Sequence, residues 1–181
     1  FGGTIVGEGV FTKRGLGILN FSGSNHSTGT TRVEEGVLLA NGYFASDVSV
    51  LAAGRLGGSG RINGSLINGG IVSPGNSIGT LTVNRYAQSK DGLLELEFSS
   101  NSSDHLVVLQ DASLKGEITY IARGFLPTGT HTLSANHLPS FISAKELTVD
   151  PDIRISSSSL LDHSLTVNVS TDGMGTFNVY R

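Results

Sequence analysis

The sequence predicts an all-β fold in which short strands coil into a parallel β-solenoid. One observation is the high glycine content. Glycine accounts for 25 of the 181 residues, so the chain can turn often. Another is the length of the apolar runs, since none between Gly54 and Gln88 reaches the roughly ten to twelve residues of an ordinary helix. These runs are rich in β-branched residues and are bounded by Asn-Gly and Pro-Gly turn pairs. Such a chain buries its apolar residues when each strand pairs with its equivalent one coil away.

The amino-acid composition excludes several classes of function. The net charge is −3 and charged residues make up only 15% of the chain, so the basic stripe that nucleic-acid binding requires is missing. Cysteine is absent, which excludes disulfides and thiolate metal sites. The sequence shows neither a long apolar run nor a signal peptide, and we expect the chain to be a fragment of a larger protein.

The first 42 residues alternate short strands with glycine turns. Leu19 and Phe21 share one face, because residues two apart on a strand point to the same side. Glu34 and Glu35 precede Gly36 at a predicted bend between two strands, where we expect solvated carboxylates and not a catalytic pair. The predicted strands are residues 4–6, 17–21, 31–33 and 37–39.

Residues 43–53 form a longer predicted strand whose valines point inward and whose polar residues face water. Gly54–Gln88 then returns to very short strands. Within it, Pro74-Gly75-Asn76-Ser77 is predicted to be a turn at the junction between narrow glycine-rich coils and longer alternating strands. We interpret this turn as a folding landmark and not as an active site.

Composition changes at Gly92, because 20 of the 25 glycines lie at or before it. We therefore divide one continuous domain into glycine-rich coils at residues 1–92 and C-terminal coils with a β-rich cap at residues 93–181. Glu95 and Glu97 alternate with apolar residues, and we expect them on the outer polar face of a half-buried strand.

The C-terminal part is predicted to continue as strands. Residues 134–146 are the place for a short helix or an irregular loop, because prolines at 139 and 151 interrupt regular runs. The predicted strands are residues 92–98, 106–108, 117–121, 153–157, 164–169 and 176–180.

No residue pattern predicts a catalytic, cofactor-binding or metal-binding site. Ser103, Asp104 and His105 are the residue types of a nucleophile triad, but consecutive residues of an extended chain cannot all converge. Gly57-Gly58-Ser59-Gly60 is similar to the opening of a calcium-binding repeat, yet Ile62 stands where that repeat has its aspartate. The five histidines lack ligand spacing. We therefore expect no metal, no cofactor and no enzymatic turnover.

Three phrases of the sequence, in order, resemble a known family. Residues 13–42, KRGLGILNFSGSNHSTGTTRVEEGVLLANG, resemble the passenger-associated repeat of bacterial autotransporters in their spaced glycines and closing Asn-Gly. Residues 69–88, GGIVSPGNSIGTLTVNRYAQ, resemble a line near the end of these passengers. Residues 104–118 fit a third phrase, with Gln110 in place of a glycine. Ser27, near the place of an aromatic residue, and Arg85, in place of a turn glycine, also depart from the family pattern.

The resemblance implies a right-handed parallel β-helix that is exported by type V secretion across the outer membrane. This segment would be the C-terminal, autochaperone part of the passenger, located at the bacterial cell surface or secreted. Its partners would be the N-terminal remainder of its own passenger, its own translocator barrel and, as a further class, host surface molecules; nucleic acid is not among them. Two alternatives stay open: part of an adhesin or virulence-factor binding surface and, less favoured, a β-helical enzyme acting on polysaccharides.

We expect about five coils plus a cap, from the usual 20 to 25 residues per coil. The apolar side chains expected to point inward are Leu19, Phe21, Val33, Leu38, Leu56, Ile62, Leu81, Val83, Leu94, Leu96, Leu106 and Val108.

Overall fold

The chain folds as β-strands throughout the part that its structure, a computed structural model, describes: residues 1–99, 102–123, 129–133, 142–150, 152, 154–159, 165–169 and 175–179. The all-β prediction is confirmed. No helix in these residues is long and apolar enough to cross a membrane. Two strands begin within the predicted helix or loop at residues 134–146, of which residues 134–141 lie outside the described residues.

The strands are numbered in chain order. They are Thr4–Ile5 (β1), Phe11–Lys13 (β2), Ile18–Phe21 (β3), Ser24–Asn25 (β4), Thr31–Ala40 (β5), Tyr43–Phe44 (β6), Val48–Gly57 (β7), Arg61–Asn68 (β8), Ile71–Val72 (β9), Thr80–Gln88 (β10), Leu93–Phe98 (β11), His105–Val108 (β12), Asp111–Leu114 (β13), Glu117–Ala122 (β14), Gly129–Leu133 (β15), Ile142–Ser143 (β16), Glu146–Val149 (β17), Arg154–Ser159 (β18), Leu165–Val169 (β19) and Gly175–Val179 (β20).

Parallel pairing arranges β1–β14 and β16–β18 into three stacks. The first stack contains β1, β4, β6, the start of β8, the start of β10, β12 and β16. The second contains β2, the starts of β5 and β7, the ends of β8 and β10, β13 and β17. The third contains β3, the ends of β5 and β7, β9, β11, β14 and β18. Each turn gives one segment to each stack, as the solenoid prediction requires.

Each stack contains seven segments, so the chain makes about six turns between the first segment and the last, one more than expected. Partners along the first stack differ in residue number by 20, 19, 18, 21, 25 and 36, so the turns are unequal in length. One set of successive in-register partners along this stack is Ile5, Asn25, Phe44, Ile62, Val83 and Val108.

The core runs along the inside of the coil. Every side chain expected to point inward is buried except Leu19, which is half-buried and packs against the core. Leu19 lies in β3, and no described strand is stacked on the outer edge of β3. Alternation therefore identified the inward face correctly, while exposure depends on the number of turns around each residue.

The predicted bend at Glu34-Glu35-Gly36 lies inside one continuous strand, not between two strands. β5 runs unbroken from Thr31 to Ala40, and it turns the corner between the second and third stacks at Gly36. Gly36 has φ +70°, a left-handed conformation that glycine adopts without steric cost. Its neighbour Glu34 lies outside the core and accepts a hydrogen bond of 2.7 Å from Arg14, which lowers the pKa of the Glu34 carboxyl.

The C-terminal part of the chain is β-rich, as predicted, and contributes a second sheet besides the parallel stacks. β15 and β19 each pair antiparallel with β20, in a sheet separate from the parallel stacks. The last three predicted strands, 153–157, 164–169 and 176–180, correspond to β18, β19 and β20 with small shifts of their ends. The division at residue 92 and the right-handed coil stay predictions.

Candidate functional site

The first turn of the solenoid has one open side. Within the described residues, β1 pairs with β4 alone, and β2 and β3 pair with β5 alone, so each strand has one unpartnered edge. Unpartnered edges are templates for further strand pairing. Among the residues whose exposure the structure describes, five of the nine exposed large apolar side chains belong to this turn: Phe1, Val6, Val10, Leu16 and Ile18, with exposed fractions of 58% to 82%.

A row of aromatic rings extends from this open side into the core. The centroid of the Phe21 ring is 5.4 Å from that of Phe1, 5.9 Å from that of Phe11 and 4.9 Å from that of Phe44. Phe21 and Phe44 are fully buried, whereas Phe1 is 59% exposed. Tilted rings at these separations attract one another beyond the area they bury. The open side therefore presents apolar surface continuous with the core.

Successive turns approach closely at a corner lined by glycine. A Cβ atom added to Gly23 would lie 1.9 Å from the carbonyl oxygen of Gly3, and one added to Gly42 would lie 1.9 Å from that of Gly23. A Cβ on Gly60 would lie 2.2 Å from the carbonyl oxygen of Gly42. The Tyr43 amide donates to the Gly23 oxygen at 3.0 Å, so the close approach carries a backbone hydrogen bond. We call this row of glycines from successive turns the glycine corner; it contains Gly3, Gly23, Gly42 and Gly60.

Polar side chains occupy a second corner, between the second and third stacks. Lys13 is 7% exposed, and its Nζ donates to the carbonyl oxygens of Arg14 at 3.0 Å and Glu35 at 2.9 Å. Gln88 is 3% exposed, and its Nε2 donates to the carbonyl oxygens of Gly92 and Glu117. These buried donors satisfy carbonyls that would otherwise cost free energy. Sequence reasoning did not single out either residue.

Glu95 and Glu97 are less accessible than expected for the outer polar face of a half-buried strand. Glu97 is 3% exposed, forms an ion pair with Arg123 and lies 3.5 Å from the Ser77 hydroxyl. Glu95 forms an ion pair with Arg55. Both arginines line a cleft of about 300 Å³ beside the Pro74–Ser77 turn. This burial was not predicted, because alternation assigns a side chain to a face and does not reveal what covers that face.

Asp104 connects the segment that follows the Pro74–Ser77 turn with β11 by hydrogen bonds. Its side chain is fully buried, and its two oxygens accept hydrogen bonds from the amides of Gly79, at 2.9 Å, and Glu97, at 2.8 Å. Burial raises the pKa of the Asp104 carboxyl to about 7, against the opposing effect of the two amide donors. The nearby Glu97 carboxylate raises this pKa further, and Arg123 lowers it.

The pattern Ser103-Asp104-His105 does not form a triad. Asp104 bonds backbone amides, and the Nε2 atom of His105 lies 3.2 Å from the Ser143 hydroxyl. In the part of the chain that the structure describes, no group of three or more His, Asp or Glu residues is placed to hold a metal ion. The absence of catalytic, cofactor and metal residues stays a prediction for the chain as a whole.

Comparisons with known proteins agree on one class. The family model named passenger-associated-transport-repeat matches residues 11–40, which run from β2 to the end of β5. The chain is 31% identical over 171 residues, 94% of its length, to an "Extracellular serine protease" of Serratia marcescens. It is 29% identical over 133 residues, 71% of its length, to the "Adhesin BmaC autotransporter" of Brucella suis biovar 1 (strain 1330). The chain spans only 14% of the first relative and 4% of the second.

The β-solenoid, the repeat and these relatives together define the class of the chain as an autotransporter passenger segment. The passenger-associated-transport-repeat lies in the first turns of the solenoid, from β2 to β5. Passengers of this kind are located at the cell surface or are secreted.

Proposed function

We propose that this chain is the autochaperone part of its passenger, a stable template on which the turns N-terminal to it fold outside the outer membrane. The observation that carries the proposal is the open first turn, with its unpartnered strand edges and exposed apolar side chains. An incoming turn would satisfy these backbone groups and cover this surface without an external energy source. The partners are the N-terminal remainder of the passenger and, at the other end, its own translocator barrel.

A structural role without catalysis is supported by the names of the relatives. One is named a serine protease and another an adhesin, and both match most of this chain over a small share of their own length. A segment common to proteins of different activity is better explained by what passengers share, which is export and folding. The buried carboxylates Glu97 and Asp104 also have structural partners, Arg123 and the backbone amides.

A part in an adhesive surface is the second candidate, and the name of the Brucella relative favours it. The two candidates differ in the surface that they use. A template uses the open end of the coil, whereas an adhesive surface uses the outer faces of the stacks.

The test replaces exposed apolar residues of the open end in the full-length passenger. Val6 is 75% exposed and Leu16 is 82% exposed, so the double variant Val6→Asp/Leu16→Asp should change the free energy of unfolding of this chain by no more than about 0.5 kcal/mol. We expect surface display and protease resistance of the N-terminal turns to fall, because an incoming turn would pack beside these two residues and take part of the hydration from two unpaired carboxylates.

The control is Ile67→Asp, which places a charge on the outer face of β8 at a residue that is 46% exposed. It should leave display unchanged. Full display and protease resistance of the Val6→Asp/Leu16→Asp passenger would contradict the template role. Loss of host-cell binding in the control, with display intact, would instead favour the adhesive surface.

A further inference from the structure

One inward position of the second stack carries a hydrogen-bond donor in three turns. Register makes Lys13, Val33, Val50, Asn68 and Gln88 successive partners along this stack. All five point into the coil at its corner with the third stack. Three of them end in an ammonium or amide group, although the interior around them is apolar.

Each of these donors reaches the turn on its C-terminal side. Lys13 Nζ donates to the carbonyl oxygen of Glu35 at 2.9 Å, and Asn68 Nδ2 donates to that of Leu93 at 3.0 Å. Gln88 Nε2 donates to that of Glu117 at 2.9 Å. The separations of 22, 25 and 29 residues place each acceptor one turn further along the chain. Lys13 and Glu35 both lie inside the residues matched by the passenger-associated repeat.

The hydrophobic pattern alone leaves the register of a turn incompletely specified. A slip by one residue turns every apolar side chain outward and is strongly disfavoured, but a slip by two residues keeps the same face inward. A buried donor does distinguish these registers, because after a slip it loses its carbonyl and leaves two unsatisfied groups in the core.

We propose that Lys13, Asn68 and Gln88 are register-setting residues, each of which aligns its turn on the preformed corner carbonyls of the turn on its C-terminal side. The proposal rests on the template function. It adds to that function the hydrogen bonds by which an incoming turn is aligned on the turn already folded. The acceptor corner must exist before the donor binds, which suits turns that are added from the C-terminal end.

The register between β8 and β10 can be measured by cross-linking, because the chain has no cysteine of its own. Ile67 and Ala87 are in-register partners, so an Ile67→Cys/Ala87→Cys pair reports the native alignment. Ile67→Cys/Arg85→Cys reports a two-residue slip, since these positions are natively about 8 Å apart and too far for a disulfide. Both pairs are refolded from denaturant under oxidising conditions, with and without Asn68→Leu.

We expect Asn68→Leu to raise the yield of the slipped cross-link about tenfold, which corresponds to the loss of one buried hydrogen bond. The matched control is Leu66→Ala on the same strand, which opens a cavity but keeps the donor and should give only the native cross-link. Asn68→Lys should restore the native alignment, because Lys13 performs the same task at the equivalent position.

Refolding of Asn68→Leu in the native register alone would overturn the proposal, as would equal slippage in Leu66→Ala or in Asn68→Lys. If Asn68→Leu does not refold, Gln88→Met is tested with the pair Ala87→Cys/Ser113→Cys, which are in-register partners of β10 and β13. Loss of the native cross-link there supports the proposal, and its retention overturns it. Because the readout is register in this chain, it stands apart from passenger display, on which the template function is tested.

Discussion

At the residue scale, Asp104 is held in an environment that disfavours its charge. The carboxyl is fully buried beside Glu97, and burial raises its pKa from 3.8 to about 7. The amides of Gly79 and Glu97 offset part of that effect by donating to its oxygens. These amide hydrogen bonds are strongest to the ionised carboxylate, whereas burial favours the protonated form, and burial is the larger effect.

The stability of the chain should accordingly depend on pH through Asp104. Between about pH 4 and about pH 7 the folded state holds a proton that the unfolded state has lost, so the free energy of unfolding falls as pH rises. We expect a fall of about 2 kcal/mol between about pH 5 and about pH 7.5 beyond that of Asp104→Asn, which cannot titrate. Urea denaturation of both proteins at the two pH values measures it. Parallel pH profiles would show that Asp104 titrates normally.

At the scale of strands and corners, the glycine corner fixes how closely two turns approach. Gly23, Gly42 and Gly60 each leave no room for a Cβ atom against the carbonyl of the turn before. The reason is contact between backbones and not backbone conformation, because none of the three has a positive φ. The free energy gained at this corner comes from backbone hydrogen bonds between turns.

Gly42→Ala should destabilise the chain by about 1 to 3 kcal/mol, as overpacking of a close contact does. Its Cβ atom would lie 1.9 Å from the backbone oxygen of Gly23, so β6 must move away from β4. Thermal and chemical unfolding measure the loss. Gly17→Ala is the matched control, since nothing lies within 4 Å of a Cβ atom at Gly17, and it should be neutral. Equal stability of the two variants would mean that the turns separate at little cost.

The alternation of apolar and polar residues predicted the strands well, because every second residue of a strand points inward and is apolar. Val33, Leu56 and Leu96 needed only their own neighbours in sequence to be assigned to the core. The corner donors and the Glu97 ion pair could not be predicted in this way. Glu97 and Arg123 are 26 residues apart, and their meeting depends on the length of the intervening turn, which no local pattern encodes.

Buried polar residues nevertheless leave one signal in the sequence. Asn68 and Gln88 stand at the inward phase of strands whose other inward residues are apolar, such as Leu66 and Tyr86. A polar side chain at that phase must find a partner inside the coil. Tyr86 is part of the same network, because its hydroxyl donates to Gln88 Oε1 at 2.7 Å, and burial raises the pKa of the Tyr86 phenol well above its ordinary value.

At the scale of the whole molecule, the solenoid tolerates turns of different length while the three stacks stay in register. From β1 to β12 along the first stack the turns vary by up to 7 residues, from 18 to 25, and the extra residues lie at corners between strands. The turn from β12 to β16 is longer still, at 36 residues. Stability in such a fold is approximately a sum over turns and their nearest neighbours. The number of turns is therefore not fixed by a closed core.

Removal of one whole turn should leave a folded protein. Tyr43 pairs with Arg61, so deletion of residues 43–60 joins Gly42 directly to the next equivalent strand. We expect a cooperative transition and a far-ultraviolet β-sheet spectrum, with a free energy of unfolding lowered by roughly one turn's share. Circular dichroism and thermal melting measure both.

Deletion of residues 31–48, equal in length, is the control. Thr31 pairs with Val48, so this cut places Ser49 at the inward position of Thr31 and turns the following valine outward. It should not fold, because every side chain of the strand changes face. Folding of both deletions, or of neither, would contradict the dependence on whole turns.

The glycine corner has a consequence for how such a chain can change over generations. Each of the first four turns presents the same two surfaces at this corner, a backbone oxygen on one side and a glycine without a side chain on the other. At this corner these turns are interchangeable, because a segment copied within a gene meets no mismatched side chains there. A passenger could therefore lengthen or shorten by duplication and loss, while its open end continued to offer the next turn the same place to begin.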